Sequence, residues 1–254
     1  MKMIIYDIVA FDLRKLIFSL SLPAMICFTS LSPTQGQSIG SSEVFEPSFI
    51  TKRIKSEKLT YRMSQSGDSA GVSVLTYEIG EQGLRLHEAA KVMVGGSLFD
   101  EIIDARYDFQ AKKMERQEIV IDYGGRHTEM SAQWSERNQI NVQIGALDST
   151  IQAKDHIPRI MTLFLLPRLF YDSDGPLTYH QFNLMDLQFR DITASIVGQV
   201  ELSLPLGTCA CRRAELRGGV ANQDLFIDPV SHRIVRIEIP EMGWEYDLIS
   251  IEEL

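Results

Sequence analysis

The sequence predicts a mostly β protein, a curved antiparallel meander or half-open β-barrel with one buried helix. Three observations predict it. Apolar and polar residues alternate with period two along much of the chain, turn signals separate the alternating runs, and one segment is apolar nearly all round. Strict alternation gives a strand one wet and one dry face, the pattern of an antiparallel sheet that packs on its core with one side only.

The strands follow in order. In "LRLHEAAKVMV" Leu84, Leu86, Ala90, Val92 and Val94 share a face, with Glu88 as the exception. In "TEMSAQW" Thr128, Met130, Ala132 and Trp134 oppose Glu129, Ser131 and Gln133; in "NQINVQI" Ile140, Val142 and Ile144 oppose Gln139, Asn141 and Gln143. "ITASIVGQVELSL" sets Ile192, Ala194, Ile196, Val200, Leu202 and Leu204 against Thr193, Ser195, Gln199, Glu201 and Ser203. As one strand it would run about 44 Å, with Gly198 placed to bend it. Turns are expected at Glu81-Gln82-Gly83, Gly95-Gly96, Gly124-Gly125, Gly218-Gly219 and Asp228-Pro229. About ten strands result, joined mostly as hairpins.

The helix is expected in "HIPRIMTLFLLPRLFYDSDG". Pro158 suits a first helical turn, and Ile160, Met161, Leu163, Phe164, Leu165, Leu166, Leu169 and Phe170 leave no polar stripe beyond Thr162 and Arg168. Such a helix must be buried, and the concave face of a curved sheet is its simplest home. Pro167 is expected to end or kink it. Its length and Arg168 argue against a membrane-inserted segment, so the chain is not expected to be a transmembrane protein.

Arg14 and Lys15 precede a thirteen-residue apolar run, "LIFSLSLPAMICF", and then the small polar stretch "TSLSPTQGQS". Residues 1–36 therefore read as a signal peptide, 37–50 as a Ser/Gly/Pro-rich flexible tether, and 51–254 as a single β-rich domain. The expected location is exported and periplasmic. Ordinary cleavage near Gly36 is preferred to lipid attachment at Cys27, because Ala24-Met25-Ile26 lacks the small residue lipoprotein processing needs just before the cysteine. A net charge of −9 argues against a nucleic-acid partner.

Candidate chemistry is sparse. Cys209 and Cys211, at i and i+2, are expected on one face of a strand. Structural thiols are the preferred reading, because a flat strand holds such Cα atoms about 6.5–7 Å apart, beyond the spacing disulfides favour; a disulfide and a metal or redox role are the alternatives. A bulge at Arg212 or Arg213 would line Cys209, Cys211, Ala214 and Leu216 along the interior. The histidines, His87, His127, His156, His180 and His232, show no metal-ligand spacing and read as surface or turn residues. "DSDG" at 172–175 lacks the further ligands of a calcium loop and reads as a turn. No nucleophile elbow, zinc-protease helix or phosphate loop occurs, so no catalytic residue, cofactor or metal is assigned.

In the C-terminal half, the apolar "LFLLPRLFY" is followed by "VELSLPLGTCACRRAELRGG" and "DLFIDPVSHRIVRIEIPEMGWEYDLISI". This order resembles a bacterial family of exported proteins described as a domain of unknown function. Its features fall here on Gly207, Thr208 and one of the two cysteines, on Asp228-Pro229, and on Tyr246 and Leu248. The resemblance covers roughly residues 158–254. It implies a curved antiparallel sheet wrapped round a helix, similar in architecture to periplasmic lipoprotein carriers, and supplies no catalytic residue.

The function expected is a non-catalytic binding module for an apolar or lipidic ligand. Its lining residues would be Trp134, Phe164, Leu165, Phe170 and Trp244, with Cys209 and Cys211 in the wall. The alternative is an envelope assembly factor with a protein partner, and a hydrolase is the third reading.

Overall fold

Side-chain alternation becomes strand wherever a turn follows that lets the chain fold back on itself. The computed structural model describes residues 37–38, 55–135, 138–153, 155–170 and 175–254. The expected signal peptide with Cys27, nearly all of the tether and most of the "DSDG" turn lie outside the described residues. Eight strands run as a meander: β2 (Glu57–Gln65), β3 (Asp68–Ile79), β4 (Gly83–Val94), β5 (Ser97–Asp108), β6 (Lys113–Tyr123), β7 (Arg126–Trp134), β8 (Gln139–Ile144) and β9 (Leu147–Gln152). At the Gly-Gly turns Val94 pairs with Ser97 and Tyr123 with Arg126. Both glycines of each turn have positive φ, the conformation that fits the twist of a two-residue hairpin.

The helix α1 (Arg159–Leu169) follows, preceded by the two-residue strand β10 (Ile157–Pro158). Pro158 thus belongs to β10, and Pro167 lies inside the helix without ending it. A second meander completes the chain: β11 (Leu177–Asn183), β12 (Gln188–Leu204), β13 (Gly207–Arg217), β14 (Gln223–Ile227), β15 (Ile234–Ile239) and β16 (Trp244–Glu253). The short β1 (Gln37–Ser38) and β10 add to β11 in parallel. The described residues therefore hold sixteen strands, more than the expected ten or so. Polar residues on the inner face, such as Glu88 and Glu101, and fully buried runs such as Asp224–Ile227 break the alternation by which strands are recognised.

All strands belong to one sheet. Within it β16 pairs antiparallel with β2, so the last strand of the second meander joins the first strand of the first. The sheet is curved and unclosed, with β9 at one end and β1 at the other. Its dry face surrounds α1: Ile160, Met161, Phe164, Leu165 and Leu166 form one continuous core with inward residues of both meanders, among them Tyr77, Leu86, Ile119, Ile140, Leu177 and Leu225. The expected curved meander around a buried helix is the observed fold. No helix among the described residues is long and apolar enough to cross a membrane.

Candidate functional site

The residues expected to line a ligand cavity are placed as follows. Phe164, Leu165 and Phe170 are each only 1% exposed, and Phe164 meets Tyr77 edge-to-face at 4.9 Å between ring centroids. Trp134 joins the same core; its indole Nε1 donates to Nε2 of His156 at 2.9 Å, and the two rings stack. His156 also meets Phe182 and Phe189 edge-on, so it is part of an aromatic cluster rather than a surface histidine. Trp244 stands apart, in a smaller cluster with Met63 and Val92. Four of the five aromatic and aliphatic residues are thus brought together as filled core around α1, and the fifth belongs elsewhere on the dry face.

Cys209 and Cys211 are joined as a disulfide, with Cα atoms 5.3 Å apart, so the preferred thiol reading is corrected. The regular-strand spacing assumed for them does not hold here. The bulge also sits on the partner strand: Ile196 pairs with Ala214 and Gly198 with Arg213, leaving Val197 as the extra residue of β12. An extra residue inverts the alternation, so the faces exchange beyond it. β13 itself has no bulge, so Arg212 shares the inward face of Ala214 and Leu216, and its Nη1 donates to the Phe170 carbonyl at 2.8 Å. The cysteines lie on the other face, Cys211 buried and Cys209 half-buried. The expected interior stripe of Cys209, Cys211, Ala214 and Leu216 does not form, because the extra residue falls in β12 and β13 alternates without a bulge.

A different set of side chains makes the dry face chemically distinctive. Register places Ile121, Glu101, Ala90, Ser73, Tyr61 and Leu248 in one row across β6, β5, β4, β3, β2 and β16. The adjacent row toward the rim is Tyr123, Phe99, Val92, Gly71, Met63 and Tyr246. Glu88 lies one row deeper, between Ile103 and Leu75. At the middle of these rows the side chains shrink to Ala90, Ser73 and Gly71, where a Cβ would run into the Lys91 carbonyl. Around that shallow floor Phe99, Tyr123, Glu88, Glu101 and Tyr246 remain only half-buried, although all are on the inward face.

The polar members of this set interact through their charge. Ser73 Oγ donates to Glu88 Oε1 at 2.9 Å. Glu101 makes no hydrogen bond or ion pair among the described residues. Burial, and then the Glu88 carboxylate, push its carboxyl up to about 7, while Arg159 at the start of α1 acts in the opposite sense. The Tyr246 phenol, likewise without a hydrogen bond among the described residues, is raised above its ordinary value by burial and by Glu88; Arg159 opposes and Glu101 reinforces this. Glu88 was visible in the sequence as the exception to an apolar face. Glu101 occupies the equivalent inward position of β5, where the same alternation test would have found it.

The outer face carries ion pairs that hold neighbouring strands together. Asp224 bonds Arg213 at 2.6 Å and Arg217 at 3.0 Å, and Asp247 bonds Arg236 at 2.7 Å and Arg62 at 2.9 Å; both aspartates are 3% exposed. His87, His127 and His180 each pair with nearby carboxylates on strands. Among the described residues no three His, Cys, Asp or Glu side chains converge as metal ligands.

No protein-family profile matches the chain, and no curated protein matches it. Solved structures do. A β-barrel-like protein of the domain of unknown function DUF1849 from Brucella abortus superposes with a TM-score of 0.59 at 9% identity, covering 80% of this chain and 99% of that one. A DUF1089 family protein from Pseudomonas aeruginosa gives a TM-score of 0.40 at 9% identity, covering 66% and 89%. The first likeness shows the fold: a β-barrel-like domain of the kind described as of unknown function.

Proposed function

We propose that this protein is an exported, non-catalytic binding module of the bacterial envelope, and that its ligand is an apolar or lipidic molecule held on the dry face of the sheet. The observation that carries the reading is that Phe99, Tyr123 and Tyr246 stand on the inward face yet remain half-buried, beside the small residues Gly71, Ser73 and Ala90. Aromatic surface remains accessible here within the curve, which is how apolar sites are lined. The exported location is supported by Arg14, Lys15 and the apolar run that follows them.

The core around Phe164 and Phe170 is already filled, so the proposed site lies toward the Phe99–Tyr123 rim instead. Protein purified without detergent should show extra mass in its native spectrum that vanishes on denaturation, and Ala90→Phe, which fills the floor, should abolish it. An empty native protein that also fails to bind a fluorescent apolar probe would overturn the reading. The alternative, an envelope assembly factor, is favoured by β9, which pairs only with β8 among the described strands and leaves a ladder edge open to a partner. The one observation favouring a hydrolase is the raised Glu101 carboxyl beside Glu88, the kind of group acid–base catalysis uses.

A further inference from the structure

We propose that the polar side of this hollow is an ammonium pocket, so that the ligand is an amphipathic amine whose charged head sits between Glu88, Glu101 and Tyr246. The inference rests on the binding-module reading and deepens it. Three features argue for it together. The first is unmet hydrogen bonding: Glu101 and Tyr246, half-buried on the inward face, bond to nothing among the described residues and so keep their oxygens open to a ligand. The second is room. Ala90 and then Ser73 lie beside Glu101 across β4 and β3, with Gly71 two residues before Ser73, so the neighbours of Glu101 on this face are small, and Phe99 stands two residues before it on β5.

The third is the balance of charge. The charged and titratable groups facing Glu101 are Glu88 from β4, Tyr246 from β16 and Arg159 from α1. Arg159 is exposed and makes no ion pair among the described residues; its one polar contact is with the Met185 sulfur at 3.9 Å. It is therefore free to yield to a ligand cation. An alkylammonium has three N–H donors for the three acceptors present, whereas a carboxylate head would face Glu88. A neutral hydroxyl would leave the second carboxylate without a counter-charge.

Binding of an ammonium requires Glu101 ionised, so the proton it holds at neutral pH must leave for solvent. The test is calorimetric titration of the whole protein with octylamine, octan-1-ol, octanoate and butylamine at pH 6 and pH 8, in buffers of different ionisation enthalpy. Octylamine should bind about tenfold more tightly at pH 8 than at pH 6, the change in ionised fraction across a group titrating midway between. It should release protons at pH 7, and Glu101→Gln should remove both the pH dependence and the release. Glu88→Gln, with folding checked by circular dichroism, should weaken binding and lessen the release without abolishing it, because burial still holds the Glu101 carboxyl up.

Equal binding of octylamine and octan-1-ol without pH dependence would overturn the ammonium pocket and leave the apolar module standing, as would a preference for octanoate. Butylamine binding as well as octylamine, with the proton release intact, would uphold the pocket and sink the apolar reading. No binding by any probe would overturn both.

Discussion

Glu101 is the residue whose position costs the fold most visibly. The folded protein keeps its carboxyl protonated up to about 7, while in an unfolded chain it ionises near 4.5. Between these values the folded state holds the extra proton, so stability is fully present below about 4.5 and is lost as pH rises through about 7. The size is on the order of 2–3 kcal/mol, since each tenfold change in proton affinity is worth about 1.4 kcal/mol and the group keeps some access to solvent. Melting temperature should therefore fall from pH 5 to pH 8 in the wild type. In Glu101→Gln that part of the slope should vanish; an unchanged slope would mean that Glu101 is not the group responsible. Asp224 and Asp247 are buried in the outer face, where each is bound by two arginines, a partnership Glu101 lacks among the described residues.

At the scale of elements, hairpin geometry decides which glycines matter. Gly218, after β13, has φ of +94° and its Cβ would meet the Asp191 carbonyl, so both conformation and space forbid a side chain. Gly67, between β2 and β3, has φ of +90° but nothing within 4 Å. Gly67→Ala should cost about 1–2 kcal/mol, the strain of the left-handed region alone. Gly218→Ala should cost about 2–4 kcal/mol, because a backbone clash adds to it. Denaturant titration of the two variants separates them, and equal midpoints would show that the Asp191 strand yields. The Val197 bulge acts at the same scale. Gly198 beside it was legible as a bending point, and its φ of +155° agrees, but that the bulge falls in β12, leaving β13 to alternate unbroken with its cysteines outward, depends on the register of the pair.

For the molecule as a whole, the seam between β2 and β16 matters most. Each meander can form from neighbouring strands, but their union needs residues 57–65 to pair with 244–253, contacts of the longest sequence separation in the sheet. The seam carries Arg62–Asp247 on its outer face and Tyr61 beside Leu248 on its inner one; the Tyr61 hydroxyl donates to the Ile234 carbonyl at 2.9 Å. Loop-closure entropy is lost before such contacts form, so folding should be slow for the size. Removing residues 244–254 should leave two open edges, one on β2 and one on β15. Size-exclusion chromatography should show association of the shortened chain, and a monomer with native circular dichroism would disprove the central role of the seam.

The sequence by itself determined the β class, the one-sided burial of the strands, the two-residue turns and the apolar helix. All of these follow from local periodicity and from backbone conformations that only certain residues adopt. Tertiary structure decided the rest. Phe164 and Phe170 read as cavity lining or as core equally well from sequence, because an apolar helix must be buried either way; only the filled space around them makes them core. The cysteines lie off the interior stripe because the extra residue falls in β12 and not in β13, and which strand carries the bulge is a fact of pairing. Glu88 and Glu101 are exceptions to alternation on separate strands, and only the register of β4 against β5 makes neighbours of them. Periodicity within a strand states which face a residue occupies, but which residues meet across that face is settled by pairing between strands and by the curvature that encloses them.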